Sequence, residues 1–276
     1  MKSPHIAIIG TGNMGKSLIA GLIKNNHPAH CLTASNRGEE KLIDVQKLFH
    51  IHTTTNNVEA AKNADVVIFA VKPHIVPQIS KELASIVHTR KPLIISVAAG
   101  IEIKNLSQWL NGYHHIVRTM PNLPASIGSG MTTLYADPTV NQQNRNLAES
   151  ILRVVGTIVW LYDESLMHVA TALSGCGPAY FFLVMEALQD AATHFGLPQD
   201  AAYLLTVHTA LGASKMAIES GETLSTLTQN VASPGGTTEK ALSVLEQEHI
   251  RELFKKALNA AIIRSQEIAQ SYSHSS

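Results

Sequence analysis

A short loop of small residues, Ser233-Pro234-Gly235-Gly236-Thr237-Thr238, leads directly into a segment with helical periodicity. The loop carries two threonine hydroxyls, and the first amides of the following helix have no partner within that helix. Amides at a helix start, together with the positive end of the helix dipole, favour the binding of an anion. The loop therefore predicts a pocket for a small acid, and the alternative is an ordinary helix cap made by Ser233 or Thr237.

A second glycine pattern lies near the start of the chain, at Gly10-Thr11-Gly12-Asn13-Met14-Gly15, between an apolar run and an amphipathic segment. This G-x-G-x-x-G spacing between a strand and a helix is typical of a dinucleotide-binding turn. Gly10 allows the tight turn, Gly12 allows a pyrophosphate to approach, and Gly15 allows the helix to pack closely on the strand. The pattern predicts a dinucleotide site, and a purely structural turn is the alternative.

The end of the next strand-like run indicates which dinucleotide binds. A site that prefers NAD usually has an acidic residue there, which accepts a hydrogen bond from the ribose 2′-hydroxyl. This chain has Ser35, Asn36 and Arg37 instead, and a guanidinium beside small polar groups suits a 2′-phosphate. We therefore expect NADPH as the cofactor, with NADH possible but weaker. The alternative is that Arg37 is an exposed residue that begins the following helix.

Three further strand ends are expected to complete the cofactor site. They are Ala70-Val71-Lys72-Pro73, the small residues around Ala98, and the pair Met120 and Asn122. Ligands of open α/β sheets bind at the carboxyl ends of the strands, and small side chains there leave room for a nicotinamide. Lys72 could take part in catalysis, although a solvated lysine at a strand end is the simpler interpretation.

The composition describes a folded chain without a net charge. Hydrophobic residues make up 45% of its 276 positions, and 21 Lys and Arg balance 21 Asp and Glu. A neutral chain has no overall field that would attract nucleic acid or an anionic membrane. The N-terminal run lacks a signal-peptide layout, and no stretch is expected to reach the roughly 20 apolar residues that span a bilayer. We therefore expect a cytoplasmic protein.

The cysteines and histidines show no pattern of their own. Cys31 and Cys176 lie far apart in the sequence, which favours a reducing compartment over a disulfide framework. The 14 histidines are scattered and none has the His-Glu-x-x-His spacing of a zinc-binding helix. We predict no metal site.

The periodicity of the sequence changes at about residue 162. Before that point short β-rich runs alternate with helical segments, and several runs are almost wholly apolar, as in parallel strands covered on both faces. This alternation predicts an α/β fold, a doubly wound Rossmann-type sheet, for residues 1–162. The strand-like runs are 5–10, 30–35, 65–71, 92–98, 114–120, 130–135 and 157–162.

Residues 163–276 show helical patterns without strand signals, and they are expected to form an all-α domain. In the segment 178–195 apolar residues cover most of the helix circumference, so this helix must be buried on all sides. A domain of this size can hardly bury several such helices alone, and we therefore predict a partner subunit that interlocks with it. A compact monomeric bundle is the alternative. The predicted helices are 165–173, 178–195, 199–219, 237–247 and 249–271.

Taken together, these segments resemble the pyrroline-5-carboxylate reductase family, which makes proline from a cyclic imine. The most specific part is NVASPGGTT at 230–238, followed by Ala241-Leu242. The segments AVKP at 70–73, SGCGPAY at 174–180 and LGASKM at 211–216 also match the family. The resemblance extends from Ile6 to about Gln270, which is nearly the whole chain.

The resemblance implies an N-terminal Rossmann domain and a helical domain that forms a homodimer, often within a higher oligomer such as five dimers in a ring. It implies NADPH-dependent reduction of 1-pyrroline-5-carboxylate to L-proline, the last step of proline biosynthesis. For the cofactor it implies the Gly10 to Gly15 turn, Asn36, Arg37, Asn57, Val71, Lys72 and Ala98. For the substrate it implies Glu164, Asn230, Thr237 and Thr238.

In that reaction the predicted anion pocket would hold the substrate carboxylate on amides brought close by Gly235 and Gly236, beside Ser233. Thr238 is the candidate catalytic residue, because its hydroxyl could hydrogen-bond the ring nitrogen. Glu164 could stabilise a cationic ring nitrogen, or it could be a solvated surface residue.

Two residues depart from the family pattern. Cys176 stands where a serine is usual, and Leu123 stands where a threonine is usual after Met120-Pro121-Asn122. A thiol is a poorer hydrogen-bond donor than a hydroxyl, so the affinity of the site could differ while the reaction is kept. A reactive cysteine is the alternative to an inert thiol at this position.

Two other functions fit parts of the sequence. A β-hydroxyacid dehydrogenase shares the plan of a Rossmann domain followed by helices, and its catalytic lysine would be Lys215 or Lys240. A non-catalytic NADP-sensing module would need only the first half of the chain. The Ser-Pro-Gly-Gly-Thr-Thr loop favours the reductase over both.

Overall fold

The strands of the computed structural model, which describes residues 3–273, join into one eight-stranded sheet. They are β1 (Ile6–Ile9), β2 (Leu32–Ser35), β3 (His52–Thr54), β4 (Val66–Phe69), β5 (Leu93–Ser96), β6 (Ile116–Met120), β7 (Gly130–Ala136) and β8 (Gly156–Trp160). The order across the sheet is β3-β2-β1-β4-β5-β6-β7-β8. Strands β1 to β6 are parallel, β7 runs antiparallel to β6, and β8 is parallel to β7.

The helices fill the connections between the strands and then make up the rest of the chain. They are α1 (Asn13–Lys24), α2 (Glu39–Phe49), α3 (Asn57–Ala61), α4 (Val76–Arg90), α5 (Ile103–Trp109), α6 (Gln142–Leu152), α7 (Leu166–Ala170), α8 (Gly177–His194), α9 (Gln199–Glu219), α10 (Leu224–Val231), α11 (Thr237–Gln247) and α12 (Ile250–Ser273). A π-helical turn, Thr171–Gly175, joins α7 to α8.

The wholly apolar strands are explained by cores on both faces of the sheet. In β1, Ile6 and Ile8 belong to the core beneath α1, α2 and α6, while Ala7 and Ile9 belong to the core beneath α3, α4 and α5. Successive side chains of a strand point to opposite faces, so a strand covered on both sides must be apolar at every position. The predicted doubly wound Rossmann-type sheet is confirmed.

The strand order places a crevice at the carboxyl end of β1. This strand lies between β2 and β4, so the chain leaves it toward one side of the sheet and later returns on the other side. Such a switch point is where open α/β sheets bind their ligands. The glycine turn follows β1, and Ala70 follows β4, so both meet at this edge.

Strand β3 and helix α10 were not among the predicted elements. Strand β3 has only three residues, His-Thr-Thr, and lies at the edge of the sheet, so it shows neither length nor apolar periodicity. Helix α10 has eight residues and begins at Thr223, whose side chain accepts a hydrogen bond from the amide of Thr226. Short elements of this kind depend on caps and tertiary packing more than on a repeating pattern.

By compactness the chain divides into two units. The sheet unit comprises the residues through Cys176 together with those from Ala261 onward, and the helical unit comprises Gly177–Ala260. Within the helical unit, α8 and α9 follow each other in the sequence, and only the segment Phe195-Gly196-Leu197-Pro198 lies between them. The positive φ of 94° at Gly196 ends the first of these helices.

The helical unit leaves large apolar side chains exposed. Phe181 is 71% exposed and Phe195 is 86% exposed, and the buried residue of α9 is Ala202. A surface of this kind marks a site of association, because soluble monomers rarely expose contiguous apolar area.

One continuous helical stretch within the described residues, Leu166–His194, is apolar and long enough to cross a membrane by length and composition alone. The expectation that no stretch reaches this length is therefore wrong.

Candidate active site

The three glycines of the first turn have different surroundings. Gly10 has a φ of +108°, and a Cβ there would lie 2.5 Å from the carbonyl oxygen of Ala70. A Cβ on Gly15 would lie 2.1 Å from the carbonyl oxygen of Gly10. A Cβ on Gly12 would meet no protein atom within 4 Å. Gly10 and Gly15 are therefore required by packing, whereas Gly12 borders open space.

The start of α1 is suited to an anion. Gly12 caps the helix without a side-chain hydrogen bond, and no acidic residue lies in the first turn. The first amides and the positive helix end are therefore not neutralised. Thr11 is buried, and its Oγ1 has no hydrogen-bond partner among the described residues. An open approach, free amides and an unpartnered hydroxyl together fit a dinucleotide.

A cavity of about 220 Å³ opens beside this turn, at the switch point of the sheet. Nine of the residues predicted to bind the cofactor line it: Gly10, Gly12, Ser35, Asn36, Arg37, Asn57, Ala70, Val71 and Lys72. Four further lining residues were not predicted: Ile9, Lys41, Ile75 and Ile79. The four-residue spacing of Ile75 and Ile79 at the start of α4 was the signal available in the sequence for these two residues.

A polar network joins this cavity to α4. The Ser35 hydroxyl donates to Oδ1 of Asn57 at 2.7 Å, and Nδ2 of Asn57 donates to Oε2 of Glu82 at 3.0 Å. Separately, Nη2 of Arg37 donates to Oε1 of Gln78 at 2.5 Å. The side chains at the end of β2 are therefore oriented by partners that lie far away in the sequence.

The other predicted cofactor residues lie outside the lining of this cavity. Asn13 and Met14 begin α1, and Pro73 begins a short 3₁₀ turn. Ala98 is buried after β5. These residues, with Thr11, Gly15, Met120 and Asn122, surround the turn and the strand ends.

Asn122 uses both ends of its amide in structural hydrogen bonds. Its Oδ1 accepts from the amide of Met131 at 2.9 Å, and its Nδ2 donates to the carbonyl of Ser174 at 3.2 Å. Beside it, a Cβ on Gly175 would lie 2.7 Å from Cε of Met120. The segment after β6 is therefore tied to the π-helical turn Thr171–Gly175.

Glu164 is paired within the protein. Its Oε1 accepts from the amide of Ile103 and from Nη1 of Arg118, both at 2.8 Å. The Arg118 side chain is only 3% exposed, and a buried guanidinium is strongly destabilising without a paired carboxylate. Glu164 is therefore neither a solvated surface residue nor a free carboxylate, and it fixes the loop after β5.

A buried histidine lies close to this pair. Nδ1 of His168 lies 2.9 Å from the hydroxyl of Ser265, and its Nε2 lies 3.6 Å from Oε1 of Glu102. Burial lowers the pKa of His168, the Arg118 guanidinium lowers it further, and the Glu102 and Glu164 carboxylates oppose this. His168 is therefore held in its neutral form to lower pH than a free histidine.

The lowered pKa of His168 predicts that the folded protein becomes less stable in acid. The unfolded chain takes up a proton near the ordinary histidine pKa of 6.5, whereas folded His168 does not, so the free energy of unfolding falls as the pH drops below 6.5. The contribution of one group is at most about 1.4 kcal/mol per pH unit. Urea unfolding at pH 7.5 and 5.5 should show a smaller drop for His168→Gln than for the wild type.

The exposed His52 supplies the control for this measurement. His52→Gln should leave the difference between the two pH values unchanged, because the His52 side chain is exposed on the edge strand β3. An equal drop in the wild type and in His168→Gln would exclude His168 as the source.

In the helical unit, the Ser-Pro-Gly-Gly-Thr-Thr loop ends at the start of α11, with Gly236 as its N-cap. Gly236 donates its amide to the carbonyl of Ser233 at 2.9 Å, and Gly235 donates its amide to Oε2 of Glu239 at 2.6 Å. The amides of the two glycines are therefore used within the loop itself. Over residues 3–273, the amides of Thr237, Thr238 and Glu239 are the ones at this helix start without a hydrogen bond.

Neither Ser233 nor Thr237 caps α11 with its side chain, so the alternative of an ordinary helix cap by either residue is wrong. The positive φ of 72° at Gly235 turns the chain into the helix. Asn230 lies at the end of α10, and its Nδ2 donates to Oε2 of Glu222 at 3.1 Å. Thr238 is partly buried and Thr237 is exposed.

The two departures from the family pattern lie in different environments. Cys176 is partly buried, at the end of the π-helical turn, and its amide donates to the carbonyl of Thr171 at 2.9 Å. Leu123 is exposed, in the 3₁₀ turn Leu123–Ile127. As for metals, the residues from 3 to 273 contain no group of three or more His, Cys, Asp and Glu side chains that could hold an ion.

Comparison with known families supports this division of the molecule. Residues 5–100 match the family described as NADP oxidoreductase, coenzyme F420-dependent. Residues 164–268 match the family described as pyrroline-5-carboxylate reductase dimerisation. The sheet, the glycine turn and these matches define a Rossmann-fold oxidoreductase that uses a nicotinamide dinucleotide and forms homo-oligomers through its helical domain.

Relatives that match this chain over nearly their whole length identify the family within this class. The chain is 41% identical to the pyrroline-5-carboxylate reductase of Pseudomonas aeruginosa over 98% of each protein. It belongs to the pyrroline-5-carboxylate reductase family. Its structure is similar to that of the Coxiella burnetii member, with a TM-score of 0.94, 45% identity and coverage of 97% and 99% of the two chains. The Plasmodium falciparum member, solved with NADP bound, gives a TM-score of 0.84 at 28% identity, over 98% and 99%.

Homo-oligomerisation explains the exposed apolar surface of the helical unit. The family match for dimerisation begins at residue 164 and includes α8 and α9, whose large apolar side chains are exposed in a single chain. It also includes the apolar stretch Leu166–His194. The interpretation as a compact monomeric bundle is therefore wrong.

Proposed function

We propose that this protein is a cytoplasmic enzyme that reduces 1-pyrroline-5-carboxylate to L-proline with NADPH, the last step of proline biosynthesis. The observation that carries the proposal is the start of α11, with unbonded amides at Thr237 and Thr238, in a chain that belongs to this family over nearly its full length. Residues 1–162 would bind the cofactor, and residues 163–276 would bind the substrate and form the dimer.

The cofactor is assigned to the switch point of the sheet. The pyrophosphate would lie over Gly12 against the free amides of α1, with Asn13 and Met14 in the first turn. When bound, the nicotinamide supplies the hydride that reduces the C=N bond. Its place is the group of strand ends at Val71, Ala98 and Met120, where small or flexible side chains leave room.

The adenosine end of the cofactor is assigned to the end of β2. Ser35 and Asn57 are hydrogen-bonded to each other and border the ribose site. Arg37 and Lys41 line the same cavity and place two positive charges where a 2′-phosphate would lie. NADH, which lacks this phosphate, would bind more weakly.

Arg37 is the residue assigned to the 2′-phosphate, and the substitution Arg37→Ala tests this assignment. Arg37→Ala should weaken NADPH binding by about 10- to 100-fold, since hydrogen bonds to charged groups contribute about 1.5–3 kcal/mol. NADH binding should change by less than about threefold, because it forms no such bond. Equilibrium titration of cofactor fluorescence measures both.

Lys47→Ala is the matched control for this titration. It removes one positive charge from the exposed end of α2 without touching the cavity. The NADPH-to-NADH ratio should then stay at the wild-type value. If Arg37→Ala weakens the two cofactors equally, Arg37 does not recognise the phosphate.

The substrate carboxylate is assigned to the start of α11. The amides of Thr237 and Thr238 and the positive helix end would hold it, and Gly235 and Gly236 would shape the loop. The hydroxyl of Ser233 and the amide side chain of Asn230 lie in the segments that border this start. Glu164 would act on the site through the loop that it fixes, rather than by touching the ring.

Thr238 is assigned to the ring nitrogen. Its hydroxyl can hydrogen-bond this atom and orient the imine, and orientation of two reactants can supply about 7–11 kcal/mol in favourable cases. A threonine hydroxyl is not a proton donor near neutral pH, so the substrate or water would supply the proton. A protonated imine is already electrophilic, and no strong acid is required.

The assembly is proposed to extend beyond a dimer, to a higher oligomer such as five dimers. Support comes from the amount of apolar surface on the helical unit, where Leu204, Leu211 and Ile218 are also exposed on α9. Light scattering of the purified protein would give the mass directly.

A substrate panel tests the activity itself. NADPH oxidation should be rapid with pyrroline-5-carboxylate, and NADP⁺ reduction should be absent with β-hydroxy acids. Lys215, the candidate for a hydroxyacid dehydrogenase, lies 3.8 Å from Glu219 one turn further along α9, as an exposed ion pair. Turnover with hydroxy acids alone would contradict the proposal, and binding of NADP without turnover of any substrate would indicate the sensing module.

A further inference from the structure

A neutral side chain from α4 holds the proposed phosphate-binding arginine. Oε1 of Gln78 accepts from Nη2 of Arg37 at 2.5 Å, across 41 positions of the sequence. Ile75 and Ile79 of the same helical region line the cavity that Arg37 lines. Gln78 lies three residues after Ile75, so it flanks the face that borders the cofactor site.

The arginine keeps its charge and most of its donors in this arrangement. A guanidinium has five N–H groups in a planar fork, and the bond to Gln78 uses one of its nitrogens. Within residues 3–273 no carboxylate is paired with Arg37, and the nearby acidic residue of α4, Glu82, accepts from Asn57 instead. An amide oxygen therefore fixes the side chain without neutralising it.

Fixing a long exposed side chain lowers the entropy that binding must otherwise remove. A free arginine side chain loses much of its rotamer freedom when it becomes ordered on a ligand. An arginine already directed toward the cavity binds a phosphate with a smaller loss. A glutamine suits this role, because an acidic residue would compete with the phosphate for the guanidinium.

We propose that Gln78 is a specificity-determining residue that positions Arg37 for the 2′-phosphate and thereby sets the preference for NADPH over NADH. This inference rests on the proposed role of Arg37 in the cofactor site. It concerns the choice of cofactor and is independent of the substrate that is reduced.

Two substitutions separate positioning from charge. Gln78→Ala removes the acceptor, and it should weaken binding of adenosine 2′,5′-bisphosphate by about five- to tenfold, the loss expected for one ordering hydrogen bond. Gln78→Glu places a carboxylate on Arg37, which both neutralises the guanidinium and repels the phosphate, so it should weaken the same probe by about 100-fold. Adenosine 5′-monophosphate, which lacks the 2′-phosphate, should change by less than about twofold in both variants.

Titration calorimetry on the full-length protein measures these affinities without turnover, and NADP⁺ and NAD⁺ repeat the comparison with intact cofactors. Gln78 is exposed, so both variants should fold, and circular dichroism checks this. Gln46→Glu introduces the same charge at an exposed position further along α2 and should leave the ratio of the two probes at the wild-type value.

Arg37→Ala serves as the reference in the same titrations. If Arg37→Ala discriminates between the probes but neither Gln78 variant changes their ratio, the role of Gln78 is overturned and that of Arg37 stands. If Arg37→Ala fails to discriminate, both roles are overturned. Neither result depends on reduction of the imine, so the proposed reaction is tested separately.

Discussion

Thr238→Ala is expected to lower kcat for pyrroline-5-carboxylate by about 10²-fold, the loss typical of a removed hydrogen bond to a reacting group. The affinity for NADPH should stay within about twofold of the wild type, because the cofactor is assigned to the sheet unit. The expected loss of turnover comes from the hydroxyl alone. The alanine variant keeps the backbone amide that is proposed to hold the carboxylate, so KM should rise much less than kcat falls.

Two neighbouring substitutions make this experiment decisive. Thr238→Ser keeps a hydroxyl at the same position and should recover most of the turnover. Thr237→Ala removes the adjacent hydroxyl, which is exposed, and should change kcat by less than about threefold. Wild-type turnover in Thr238→Ala would remove this residue from the mechanism.

The second prediction with a large effect concerns the glycine turn between β1 and α1. It separates the contribution of one glycine to the stability of the fold from the contribution of another to cofactor binding. Gly10→Ala combines a positive φ with a Cβ at 2.5 Å from a backbone oxygen, and the strained backbone alone costs about 1–3 kcal/mol. Its Tm should fall by several degrees, by about 2–4 °C for each kcal/mol in a chain of this size. Thermal unfolding in the absence of cofactor measures this effect.

Gly12→Ala is the matched variant for this comparison. Gly12 has a φ of −72°, and its added Cβ meets no protein atom within 4 Å, so the Tm should stay close to the wild-type value. The same methyl group would lie in the approach to the pyrophosphate and should weaken NADPH by at least about tenfold. Retained NADPH affinity in Gly12→Ala would place the pyrophosphate elsewhere.

The sequence predicted well those parts of the fold that depend on local pattern. Strands β1 and β4 are apolar at every position because both of their faces are covered, and that pattern can be read directly. The glycine spacing likewise predicted the turn between β1 and α1. The helices α9 and α11 begin and end where the periodicity and the flanking glycine and proline indicated.

The parts that could not be predicted depend on long-range partners. The bond from Arg37 to Gln78 joins residues 41 positions apart, and only the fold brings them together. Nothing in the sequence indicates that Arg118 in β6 is buried and needs Glu164 as its counter-charge. The hydrogen bonds that a motif carboxylate makes within the protein therefore cannot be predicted from the motif alone.

The anion pocket shows the same limit on a smaller scale. The sequence indicated the helix start, but it did not show which amides remain free. Glu239 accepts from Gly235, and Ser233 accepts from Gly236, so the unbonded amides begin one step further, at Thr237. Short-range hydrogen bonds of this kind, one to a side chain and one to a backbone carbonyl, use the same donors that a ligand would use.

A crystal structure of the protein with L-proline and NADP⁺ would test the central claim most directly. We predict that the proline carboxylate lies within hydrogen-bond distance of the amides of Thr237 and Thr238, with the ring nitrogen next to the Thr238 hydroxyl. A carboxylate bound to any other group, with these two amides left to water, would contradict the account.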